Sequence, residues 1–124
     1  MVKTALLCYA LVSYREARAE LLAAQIAAMK VLHNRATLHH KPTCEELVKH
    51  NQFAWVKKYG AVIPKPIGKS DIDAWEQSKR TAKAMRLIDV KGITPSHVFF
   101  NHVSMGKRYK TKTKPVVIGK LIFY

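Results

Sequence analysis

"SYREARAELLAAQIAAMKVLHNRA", residues 13–36, decides the fold. It is alanine-rich and free of glycine and proline, and Ile26, Met29 and Leu32–His33 recur at helical spacing, which predicts a helix over Leu22–Ala36. Upstream, Lys3–Arg18 predicts another, with Ala5, Leu6, Tyr9, Ala10 and Val12 forming a broad apolar face. A bend near Ala19–Leu21 would separate the two. Local propensity alone favours one continuous helix, because nothing there breaks it. Two of the chain's 8 acidic residues, Glu16 and Glu20, stand four positions apart in this run.

The 124 residues suffice for one domain with a core, and a hydrophobic content of 48% excludes a disordered tail. Lys and Arg number 22, for a formal charge of +14. Such a surplus draws the chain to an anionic polymer, either nucleic acid or cell-wall polymer, and charge alone does not choose. Cys8 and Cys44 are the only cysteines. They make no disulfide framework, so Cys8 reads as a buried free thiol and a reducing place of synthesis fits, with a single bridge left open. The first apolar run has one Lys before it, faintly like a signal peptide, but no clear cleavage site follows. It reads as a first core helix, shorter than the ~20 residues of a membrane span.

Further along, Thr43 follows Pro42 and precedes Glu46 by three residues, a capping box before a short helix over Cys44–Lys49. "KKYGAVIPKPIGKS" reads as loop. Ser70 or Asp71 is expected to cap a helix that buries Ile72, Trp75, Ala82, Met85 and Ile88. "SHVFFNHV" and "PVVIGKLIFY" read as two strands, joined by a basic, turn-like segment. The expected fold is mainly α (α+β), a single helical domain with a short C-terminal β element.

Glu16 has a plain reading, as the end of a capping box from Ser13 or a solvated helix residue, and a sharper one. A carboxyl flanked by apolar helix faces loses solvation, stays protonated near neutral pH and can act as a general acid on a glycosidic oxygen. Glu20 shares its face if the helix continues, and a carboxylate pair flanking a sugar bond is the usual glycosidase arrangement. Arg18 lies off that face. The six histidines, even with Cys44, show no metal-site spacing, so no metal is expected, and a Cys44–His nucleophilic pair has no supporting context. The run Lys107–Lys114 could track a nucleic-acid backbone or be a solvated loop, and Tyr109 is its only stacking aromatic. No phosphate-cradling glycine loop is present, and no cofactor is expected.

Taken in order, "REARAE", "AQIAAMKVLHNRA", "PTCEELVKHNQFAW", "SHVFFNHV" and "VVIGKLIFY" resemble the SleB-type cell wall hydrolases, the spore-cortex-lytic enzyme family that also occurs in bacteriophages. The likeness runs from about Leu6 to Tyr124. It implies a small lysozyme-like or lytic-transglycosylase-like domain with a groove for a glycan strand. Carried over by position, it implies Glu16 as catalytic acid, with Glu20, Gln25, Asn34, Gln52, Phe53, Phe99, Asn101 and Tyr109 on the substrate. Arg35 and Gly119 are implied as structural. Tyr109 stands where the family usually has tryptophan. Ala19 replaces the motif's glycine, which puts the bend in doubt, and Leu121 replaces a near-C-terminal histidine. Ala54 replaces a serine, and Ser96 and His97 replace Ala-Leu.

The implied activity is cleavage of the β-1,4 bond between N-acetylmuramic acid and N-acetylglucosamine. No matching motif holds a second carboxylate, so a lytic transglycosylase route is expected over water attack. Glu20 is expected to hold Arg35 or order the bend in preference to acting as a nucleophile. The resemblance further implies a monomer that binds peptidoglycan glycan strands, no specific nucleic acid and no membrane span. Synthesis in a bacterial host cytoplasm, with action on the wall as an endolysin or virion-borne lysin, is the matching expectation.

Overall fold

The computed structural model describes residues 4–49 and 53–124. Its elements are helices α1 (Ala5–Val12), α2 (Leu22–Leu38), α3 (Thr43–Leu47), α4 (Ala54–Tyr59) and α5 (Gly68–Ala84), and strands β1 (Phe100–His102), β2 (Val116–Ile118) and β3 (Leu121–Phe123). The mainly α class with a short C-terminal β element is what the chain adopts. Among the described residues no helix is long and apolar enough to cross a membrane.

α1 is the central helix, packed against α2, α3 and α5. Cys8, Tyr9, Ala10, Leu11 and Val12 are all buried, so it presents no polar stripe in its second half. A helix apolar all round belongs inside a core. Thr4 caps it, its hydroxyl accepting from Leu7 N at 3.4 Å. Cys8 and Cys44 form a disulfide that ties α1 to α3. This corrects the expectation of a free thiol: Cys8 is indeed buried, but the turn after α2 brings Cys44 against it.

The continuity favoured by propensity is also corrected. α1 runs into a π-helical turn over Ser13–Ala17, and the chain then unwinds until Leu21, whose ψ of 151° is extended. Ala19 does not prevent this. Among the described non-glycine residues only His40 has a positive φ, so the bend makes no demand that a glycine alone could meet. Tertiary contacts hold it instead. The buried Gln25 amide donates to Arg18 O at 3.3 Å and Glu20 O at 3.1 Å, satisfying carbonyls that the broken helix leaves open.

α2 ends in a Schellman motif, with His40 at φ 53°. His40 N donates to Thr37 O at 3.2 Å and Lys41 N to Ala36 O at 2.9 Å, and Pro42 follows. The capping box expected from Thr43 and Glu46 does not form. Pro42 occupies the cap position without a side-chain bond, Thr43 Oγ1 meets Tyr9 Oη at 3.2 Å, and Glu46 turns inward. α4 falls partly within the stretch read as loop. α5 starts at Gly68, so Ser70 and Asp71 lie inside its first turn; Trp75, Ala82 and Met85 are buried, whereas Ile72 and Ile88 are exposed.

"PVVIGKLIFY" is two strands, not one. Gly119, at φ +58°, turns β2 into β3, and the sheet order is β1-β3-β2, all antiparallel. Phe100 pairs with Phe123 and His102 with Leu121. The inward Leu121 and Phe123 seat the sheet on the core, which brings β1 alongside the turn that carries Glu16.

Candidate active site

Glu16 projects from the π-helical turn, a local widening of the helix of the kind that recurs at functional sites. It lines a cleft of about 350 Å³ with Phe53 and Ala54 at the start of α4, Phe100, Asn101 and His102 of β1, Met105, Arg108, and Leu121 of β3. Among the described lining residues Glu16 is the only carboxylate. Its pKa is raised above the ordinary 4.5, first because burial strips water from the charged form. Trp55 opposes this in part. Its buried Nε1–H favours the ionised carboxyl electrostatically without closing a hydrogen bond of normal geometry. Neither neighbouring arginine neutralises Glu16. Arg15 lies over the Tyr59 ring at 4.2 Å, while Arg18 bonds Asp71 at 2.8 Å and lies over Tyr14 at 4.5 Å.

The cleft continues into a narrower hollow of about 60 Å³ that shares Phe53, Phe100, Asn101 and Arg108 with it. There Phe99 and Tyr109 stack, with centroids 4.4 Å apart and planes 21° from parallel. Tyr109 is 48% exposed, so the stack presents an aromatic edge to an incoming ligand. The Arg35 guanidinium lies over Phe99 at 4.9 Å and donates to Val98 O at 2.9 Å. Behind it, the fully buried Glu46 carboxylate takes Arg35 Nε at 3.3 Å and His39 Nδ1 at 2.9 Å. Beneath the site lies the fully buried Tyr124, whose hydroxyl accepts from Asn101 Nδ2 and from Arg108 N at 2.7 Å. Asn101 Nδ2 also donates to Gly106 O at 2.8 Å, so this side chain holds the loop after β1.

Of the residues expected on the substrate, Glu16, Phe53 and Asn101 meet in the cleft, and Phe99 and Tyr109 in the adjoining hollow. Gln52 lies outside the described residues. Gln25 and Asn34 sit elsewhere. Gln25 holds the bend, and Asn34 Nδ2 donates to Thr94 O at 3.0 Å and His97 O at 2.8 Å, fastening the segment before β1. Glu20 shares no face with Glu16, because the helix breaks between them, and it does not hold Arg35, which pairs with Glu46. It reaches the β2–β3 turn, accepting from Lys120 N at 3.4 Å.

Trp55, Arg108 and Leu121 act on the site without having been assigned to it. The "QFAW" string held a signal for Trp55, two residues past Phe53 at the start of α4. Leu121 was visible only as a departure from a pattern, yet its apolar side chain is part of the wall that desolvates Glu16. His97 is a core residue, its Nδ1 accepting from Thr94 N at 3.1 Å and its Nε2 donating to Lys114 O at 2.8 Å. Among the described residues no cluster of His, Cys, Asp and Glu could hold a metal. No family model, curated protein or solved structure matches the chain.

Proposed function

We propose that the chain cleaves peptidoglycan glycan strands as a lytic transglycosylase, with Glu16 as general acid and then base. The supporting observation is a lone, desolvated carboxyl in an aromatic-lined cleft that holds no second carboxylate among its described lining residues. The cleft and adjoining hollow together are lined by Phe53, Phe99, Phe100 and Tyr109, aromatic side chains of the kind that contact sugar rings. Protonated Glu16 gives its proton to the leaving oxygen as the muramic C1–O bond breaks, and positive charge develops at C1. The muramic 6-hydroxyl oxygen then bonds to C1, and its proton returns to the Glu16 carboxylate. No water is consumed and no second carboxylate is required. The resemblance to the SleB-type hydrolases supports the same reading from sequence, as does the +14 charge toward an anionic wall.

Mass analysis of muropeptides released from purified sacculi tests this. The expected products are 1,6-anhydro ends from wild type and none from Glu16→Gln. Reducing muramic ends would make the enzyme a muramidase, and no release by wild type would remove the enzymatic reading. The exposed residues Lys107, Arg108, Lys110 and Lys112 support a second reading, a nucleic-acid-binding module. That reading expects salt-sensitive DNA or RNA binding that survives Glu16→Gln.

A further inference from the structure

A larger cavity, about 580 Å³, opens between α2 and the segment after α5 and shares no lining residue with the Glu16 cleft. Lys30 and His33 of α2 face Arg86 and Asp89 across it. Among the described residues neither cation is in an ion pair, and neither is Asp89. Leu38, Ile93 and Pro95 add apolar wall. The positive field inside is felt by His33, whose pKa is lowered first by burial and then by the charges of Arg86 and Lys30. His33 Nδ1 is held by Tyr9 Oη at 2.9 Å, which fixes the ring in the cavity wall.

Two unpaired cations, one unpaired carboxylate and a partly apolar wall together select a ligand with both signs of charge. A bare polyphosphate would meet Asp89 as a repulsive neighbour and leave the apolar wall unused. A peptide with small side chains, a carboxylate and an amine uses all three features. We infer that this cavity binds a short zwitterionic peptide, its carboxylate on Lys30 and Arg86 and its amine on Asp89. That the peptide belongs to the cell-wall polymer rests on the reading of the Glu16 cleft; the binding chemistry does not.

The test is calorimetric titration of the full chain with synthetic N-acetyl-L-alanyl-D-isoglutamyl-L-lysyl-D-alanine. Saturable binding is expected, weakened roughly tenfold by Lys30→Ala or Arg86→Ala, each losing one charged contact. Asp89→Asn should weaken the peptide but leave its Nε-acetyl-lysine form unaffected. Arg86 and Asp89 are exposed and Lys30 is half-buried with no ion pair among the described residues, so the Arg86 and Asp89 variants should melt like wild type, and a melting curve checks all three. Absence of binding overturns the proposal. So does binding of inorganic phosphate or a DNA duplex as tight as the peptide and lost in the same variants. Glu16→Gln should bind the peptide normally, so loss of glycan cleavage and loss of peptide binding report on separate sites.

Discussion

Glu20 packs its carboxylate against the turn at Gly119 and Lys120, the latter 100 residues away in the chain: Oε2 accepts from Lys120 N at 3.4 Å and stands 2.5 Å from where a β-carbon on Gly119 would lie. This contact couples the bend after Glu16 to the β2–β3 hairpin that supplies Leu121.

Gly119→Ala should therefore destabilise the fold by about 1–3 kcal/mol, chiefly from the positive φ, with a smaller part from the Glu20 carboxylate, which must swing aside and give up its bond to Lys120 N. In a Glu20→Ala background the same substitution should cost less, because the clash is gone, but not nothing, because φ stays at +58°. Urea midpoints of the four proteins close the cycle. Strictly additive effects would show that the two residues do not meet.

Removing Glu46 should be among the most destabilising single changes. Its carboxylate is fully buried between Arg35 and His39, and Glu46→Ala leaves the Arg35 guanidinium buried and unpaired, a loss of about 3–5 kcal/mol. Arg35→Met with Glu46→Leu should recover much of it, since a buried pair is often no better than apolar packing of similar volume. Glycan turnover in this double variant should still fall, because Arg35 also backs Phe99 in the hollow. Denaturant midpoints measure the first effect and muropeptide release the second.

The Cys8–Cys44 bridge closes a loop of sequence separation 36, for which loop-closure entropy gives about 3–4 kcal/mol. Reductant should lower the melting temperature by several degrees, and Cys44→Ser should lower it similarly and remove the response to reductant. In denaturant, which exposes both buried cysteines, alkylation before reduction should add no mass, and alkylation after it should add two labels. Two labels on the unfolded, unreduced protein would show that the bridge is absent.

The helices were legible where they bury a continuous apolar surface, as in α2, where Ile26, Met29 and Leu32 are buried at the spacing read from the sequence. The bend near Ala19–Leu21 could be read only as one of two alternatives, because Ala19 and its neighbours carry no breaker; the contacts that hold it come from the Gln25 amide and from Lys120 N, the latter 100 residues from Glu20. Thr43 and Glu46 matched a capping box by spacing, but a buried Arg35 is a stronger partner for a carboxylate than a backbone N–H at a helix start. Glu16 could be singled out because a carboxylate in an apolar run is conspicuous. Arg108 could not, being one cation in a basic stretch until Tyr124 fixes its backbone beside the cleft.

The raised pKa of Glu16 makes two pH effects predictable. Its native-state value lies above the unfolded value near 4.5, so between the two the native state binds more protons than the unfolded chain. Stability is thus highest from this group below pH 4.5, falls as pH rises through the raised value, and is level beyond it. Glu16→Gln removes the titration. Its melting temperature relative to wild type should rise across that window and then plateau, measured by thermal unfolding from acid to neutral pH. The second effect is on rate. Cleavage needs the carboxyl protonated in its first step, so kcat/KM should fall on the alkaline side of the same raised value. Glu16→Gln should lose about 10²–10⁴-fold in muropeptide release while unfolding cooperatively. Leu121→His tests the cause. A polar, hydratable ring in the wall should relieve the desolvation and move the alkaline limb of the rate profile toward lower pH. A limb that stays in place would show that desolvation by this wall is not what raises the Glu16 pKa.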